Sequence, residues 1–103
     1  MEELRQIREI IFDTAKKHDI EIEKIILFGS RARGDYKKDS DWDILVVTKE
    51  TLDWRKRKAF WLETVRSLSF YVDLIIVDEG LFKRKSQYVG NIAYEAKLEG
   101  ITI

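Results

Sequence analysis

Apolar positions along this chain fall into helical and strand-like spacings by turns. Leu4, Ile7, Ile10, Ile11 and Ala15 recur at steps of three and four in a charged background, one face of an amphipathic helix ending near His18. Ile22 to Phe28 is rich in isoleucine and stops at Gly29, which predicts a short strand closed by a turn. Residues 31–40, RARGDYKKDS, are polar around one glycine and read as a loop or a single helical turn. DWDILVVT, residues 41–48, is a second strand. From Leu52 to Leu68, the residues Trp54, Trp61, Leu62, Val65 and Leu68 share a face, so a second helix is expected, with Trp54 and Trp61 in the core. Phe70 to Val77 is a third strand. In the tail, Val89, Ile92, Ala93, Ala96 and Leu98 return to helical rhythm, with Gly100 as a stop before the short end ITI.

The order is therefore α, β, β, α, β, α, with no repeat, low-complexity stretch or linker. It predicts one α/β (or α+β) domain over residues 1–103, a small sheet flanked by helices. A chain of 103 residues has room for one core of ordinary size. The strands are apolar on both faces, as a covered sheet requires.

Composition narrows the function. Lys plus Arg equals Asp plus Glu at 19 each, so no global basic field exists to neutralise phosphates, and direct nucleic-acid binding is not expected. The basic runs in WRKRKAFW and LFKRKSQ read as a solvated helix face and loop. The lack of cysteine removes disulfides, thiol catalysis and cysteine-held zinc. No apolar run is long enough to span a membrane, and MEELRQIREIIFDTAKK lacks the basic-then-apolar layout of a signal peptide, so the expected location is the cytoplasm. Dense charge with few thermolabile residues leans toward the hyperthermophile pattern. His18, at the end of the first helix, reads as a cation favoured by the helix dipole, not a catalytic group.

Chemistry concentrates in FGSRARGDYKKDSDWDILV. Side chains two apart on a strand share a face about 6 to 7 Å apart, so Asp41 and Asp43 converge while Trp42 turns away. Two such carboxylates repel and raise each other's pKa unless a cation lies between them. A third, Asp73, interrupts the apolar FYVDLIIV, where an unpartnered charge is costly. Three aspartates on two neighbouring strands would hold Mg²⁺, which takes one or two carboxylates and fills its shell with water and substrate phosphates. Strand, then Gly29 and Ser30, then a polar turn exposes backbone N–H groups to an anion. Arg31 and Arg33 could add positive charge there, though a solvated loop accounts for either equally well. Together these parts describe a site for a nucleoside triphosphate with magnesium, where nucleotidyl transfer proceeds by in-line displacement.

On these residues the chain resembles the minimal nucleotidyltransferases of the polymerase-beta-like superfamily. That family's pattern is GS, ten residues, then DxD; here Gly29 and Ser30 are followed by RARGDYKKDS and then Asp41, Trp42 and Asp43. The likeness extends to the EG near the end. It implies the nucleotidyltransferase fold, with a mixed sheet. It also implies Asp41, Asp43 and Asp73 as the catalytic, magnesium-holding set, with Gly29 and Ser30 at the nucleotide phosphates, where Arg33 is a further candidate. The resemblance further implies ATP as co-substrate and a helical HEPN-type ribonuclease toxin as partner in a hetero-oligomer. The chain would act as a type VII-like antitoxin, moving AMP to a toxin tyrosine. Another class of function stands beside this one: a non-catalytic antitoxin or nucleotide-binding module that neutralises its partner by direct contact. A third is a transferase acting on a small molecule or a nucleic-acid end.

Overall fold

The computed structural model describes residues 2–103. Glu2–Lys17 forms α1, with Glu2 and Glu3 in its first turn and Lys16 and Lys17 in its last, each sign placed to suit the helix dipole. The helix ends where Asp19 takes a positive φ of 55° and the Ile20 N–H donates back to the Ala15 carbonyl at 2.8 Å. Strand β1 (Ile22–Phe28) follows, then a one-turn helix α2 (Ser30–Arg33), strand β2 (Trp42–Thr48), helix α3 (Trp54–Ser67) and strand β3 (Val72–Asp78). Two short helices, α4 (Glu79–Lys85) and α5 (Ile92–Glu99), and the edge strand β4 (Ile101–Thr102) complete the chain. Side chains cap three of the helices: Asp53 accepts from the Lys56 N–H, Asp78 from the Leu81 N–H and Asn91 from the Ala93 N–H.

The sheet order is β3-β2-β1-β4. β1 runs antiparallel to both β2 and β4, and β2 runs parallel to β3. A parallel pair needs a crossover, and α3 supplies it. The sheet is therefore mixed, as expected from the resemblance.

Alternation along the strands divides the core in two. On one face Ile25, Leu27, Trp42, Ile44, Val46, Val72, Leu74 and Ile76 pack against Ile7, Ile11 and Ala15 of α1 and Phe60 of α3. On the other, Ile26, Phe28, Leu45 and Val47 meet Phe82 of α4 and Ala93 and Ala96 of α5. Among the described residues no helix is long and apolar enough to cross a membrane.

Four expectations need correction. The core face of α3 is Phe60 and Thr64, both fully buried, whereas Trp54 is 64% exposed and Trp61 40% exposed. Trp54 stands at the open first turn. Trp61 reaches the free edge of the sheet, its indole Nε1–H donating to the Leu74 carbonyl at 3.0 Å. The third strand begins at Val72, because Phe70 leaves the strand line to pack at a tilt against Trp42. α4 falls where the sequence reading placed a solvated loop; with only Leu81 and Phe82 apolar in seven residues, it is too short to show a period. In α5 the buried positions are Ala93 and Ala96, while Ile92, Leu98 and the preceding Val89 are exposed, since small residues let the helix lie close on the sheet. His18 lies between α1 and α3, its Nε2 3.3 Å from Glu63 Oε1.

Candidate active site

The site is built at one end of three neighbouring strands. β1 finishes at Phe28, which pairs with Asp43 of β2, and Asp43 pairs in turn with Asp73 of β3. Strand register alone therefore sets Gly29, Asp43 and Asp73 side by side. Asp41 stands one residue before β2, on the same side of the chain as Asp43. The sequence-predicted acids thus occupy one region, on the sheet face that carries α4 and α5.

Gly29 makes the close approach possible. Its φ of 76° and ψ of −160° lie in a region that essentially only glycine enters. A Cβ at this position would run into the Asp43 carboxylate, whose Oδ2 lies over the bare Cα. Ser30 follows at once and opens α2; the Ala32 and Arg33 N–H groups both donate to the Gly29 carbonyl at 3.1 Å, which leaves those of Ser30 and Arg31 as the first-turn donors without a partner inside the helix.

Asp43 is half-buried, while Asp41 and Asp73 are exposed. Burial pushes the Asp43 carboxyl above the usual aspartate range, and the charges of Asp73 and Asp41 push it further; Arg33 opposes them. The donors are all carboxylate oxygens, and a divalent hard cation relieves the repulsion that raises Asp43. Among the described residues no three or more His, Asp or Glu side chains are drawn together closely enough to enclose an ion by themselves.

The two arginines behave differently. Arg33 Nη1 donates to Glu99 Oε1 of α5 at 2.9 Å and Nε donates to Asp35 Oδ2 at 3.3 Å, so the guanidinium stands near the acids and is tied to the far end of the chain. Arg31 stacks over Trp42 at 4.1 Å and Tyr36 at 4.7 Å and donates to the Ser40 carbonyl at 3.0 Å. Its work is to hold the 35–40 loop, not to face the acids. Glu99, the partner of Arg33, was visible in the sequence only as half of the EG pair; nothing local marks a contact across 66 positions.

The chain is similar to known proteins. The family described as polymerase beta, nucleotidyltransferase matches residues 9–98. A protein of Methanocaldococcus jannaschii named as a candidate protein adenylyltransferase is 38% identical over 87 residues, covering 82% of this chain and 83% of its own. A second from the same organism, similarly named, is 39% identical over 79 residues, covering 73% and 90%. Among solved structures, a candidate nucleotidyltransferase from Sulfolobus solfataricus superposes with a TM-score of 0.64 at 29% identity, over 98% of this chain and 78% of that one. The MntA-HpeT toxin-antitoxin complex includes a chain of the same fold, with a TM-score of 0.56 at 20% identity, over 89% and 68%. The match across residues 9–98, together with relatives 38% and 39% identical over 82% and 73% of its length, makes this chain a member of the polymerase-beta nucleotidyltransferase family.

Proposed function

We propose that the chain transfers AMP from ATP to a hydroxyl of a partner protein, a tyrosine of a HEPN-type toxin, and neutralises that toxin by the modification. The observation that carries the reading is the placement of Asp43 between Phe28 and Asp73, with its carboxylate over Gly29. A triphosphate at the Gly29–Ser30 turn would then lie directly beside the acids. The M. jannaschii relatives named for protein adenylylation support the substrate class.

In this reading Gly29 and Ser30 hold the phosphates, with Arg33 at their side. Asp41 and Asp43, with Asp73, would hold magnesium, which supplies charge neutralisation at the triphosphate. The acceptor oxygen attacks the α-phosphorus, the bond from that phosphorus to the bridging oxygen breaks, and pyrophosphate leaves. Asp73, exposed where Asp43 is half-buried, takes the proton from the acceptor hydroxyl.

Incubating the protein with its toxin partner, ATP and magnesium should add one or more AMP masses to a tyrosine-bearing partner peptide, read by mass spectrometry. The doubly substituted Asp41→Asn, Asp43→Asn protein should bind the partner, add no mass and fail to protect against toxicity. A second reading, neutralisation by contact alone, draws on the exposed Trp54 and Trp61 beside Arg57 and Lys58, a composition typical of binding hot spots. If the doubly substituted protein protects as well as the parent, that reading replaces the catalytic one.

A further inference from the structure

The register that pairs Asp43 with Asp73 continues down the same sheet face to Leu45 opposite Ile75, and there the floor changes from acidic to apolar. A cavity of about 450 Å³ opens at this point, between the sheet and the α4–α5 arm. Leu45 and Ile75 form its floor, Phe82 and Ile92 its walls, and Lys85 and Asn91 are its polar members. Leu45 and Ile75 lie two residues along from the aspartates, about 7 Å at strand spacing. A ribose fits that interval between an α-phosphate at the aspartates and a base in the cavity.

We propose that this cavity holds the nucleobase of the nucleoside triphosphate. The inference rests on the adenylyl-transfer reading, and geometry selects the base over the acceptor ring. A tyrosine reacts through the end of its side chain farthest from its backbone. If its hydroxyl lay at the aspartates and its ring in the cavity, the acceptor's main chain would have to thread out past Ile92, and a phenol ring would offer nothing to the polar groups there. A nucleotide reacts at its α-phosphorus and carries the base as a free end, so the base fills the cavity with no chain to thread. Apolar walls suit a flat ring, with Phe82 offering an aromatic surface. The polar groups are complementary too. Asn91 Oδ1 is occupied in capping the Ala93 N–H at 3.0 Å, which leaves its amide N–H groups as donors, and Lys85 offers only donors. Ring nitrogens of a base are acceptors.

The test is titration calorimetry with magnesium, comparing ATP with inorganic tripolyphosphate, on the parent protein, Ile92→Trp and Asn91→Asp. Ile92 is 47% exposed, so a tryptophan there fills the cavity from its open side. Asn91→Asp keeps a good helix cap while removing the amide donor; melting curves check that both variants fold. The parent should bind ATP about tenfold or more tightly than tripolyphosphate. Both variants should lose about tenfold in ATP affinity with tripolyphosphate binding unchanged. Equal binding of the two ligands by the parent overturns the base site and leaves the transfer reading intact. So does unchanged ATP binding by both variants, or variants that lose only partner modification, which would give the cavity to the acceptor. No binding of either ligand by the parent overturns the transfer reading and this inference together.

Discussion

The two faces of the sheet are built to different ends. Against α1 and α3 lies a closed core of thirteen buried apolar residues centred on Phe60, Ile7 and Ile11. Against α4 and α5 there are seven, with only Ala93 and Ala96 from the last helix. The second face is thinner, keeps an apolar cavity and ends at Asp43, whose charged form is disfavoured by burial and by the charges of Asp73 and Asp41. Stability rests on the first face. In the adenylyl-transfer reading that frees the second to carry groups which cost stability until a ligand arrives, because a site that must admit a nucleotide cannot also be filled with side chains.

The sharpest way to break this comparison is to empty the closed face. Phe60→Ala should lose about 3–5 kcal/mol, the range for truncating a fully buried aromatic, measured by denaturant unfolding. A loss under about 1 kcal/mol would mean that the face against α4 and α5 carries the fold after all. Next comes the seam where the chain enters the open face. Gly29→Ala should cost about 1–3 kcal/mol, because alanine resists this φ and ψ. The new Cβ should also displace the Asp43 carboxylate and weaken magnesium-dependent ATP binding. Thermal melts with and without ATP and magnesium separate the two effects; unchanged melting in both conditions would show that the carboxylate does not need the bare Cα.

The smallest effect is that of Asp43→Asn on stability. Because burial and the neighbouring aspartates raise the Asp43 pKa, the folded protein holds a proton there that the unfolded chain has already released. Stability therefore falls as pH rises from the ordinary aspartate range through the raised value, and the full penalty is present above it. Asparagine removes the penalty. Metal-free melts from about pH 3 to pH 8 should show the variant at least as stable as the parent at neutral pH, with a flatter profile. A variant less stable at neutral pH would assign Asp43 a structural role instead.

Much of this protein could be read before its structure was known. The hydrophobic period located α1, β1 and β2 within a residue or so, because these are long segments with one buried side or a continuous apolar run. The acidic pair flanking Trp42 and the glycine–serine turn carry their chemistry in residue type and spacing, which no tertiary contact is needed to see. α3 shows the limit. Its length was legible and its buried side was not, since Phe60 and Trp61 are adjacent and equally apolar. Only packing decides that Phe60 fills the core while Trp61 caps the Leu74 carbonyl at the sheet edge.

By itself, then, the sequence determined which groups are present: three aspartates, a glycine able to adopt a left-handed conformation, and strands apolar enough to bury. Tertiary structure decided what they face. The parallel pairing of β2 with β3 sets Asp43 beside Asp73, 30 positions apart along the chain. The fold of α5 back over the sheet brings Glu99 to Arg33 and leaves the cavity beside the acids. Such relations depend on strand order and on close approach between distant segments, and residue periodicity, which is local, carries no record of them.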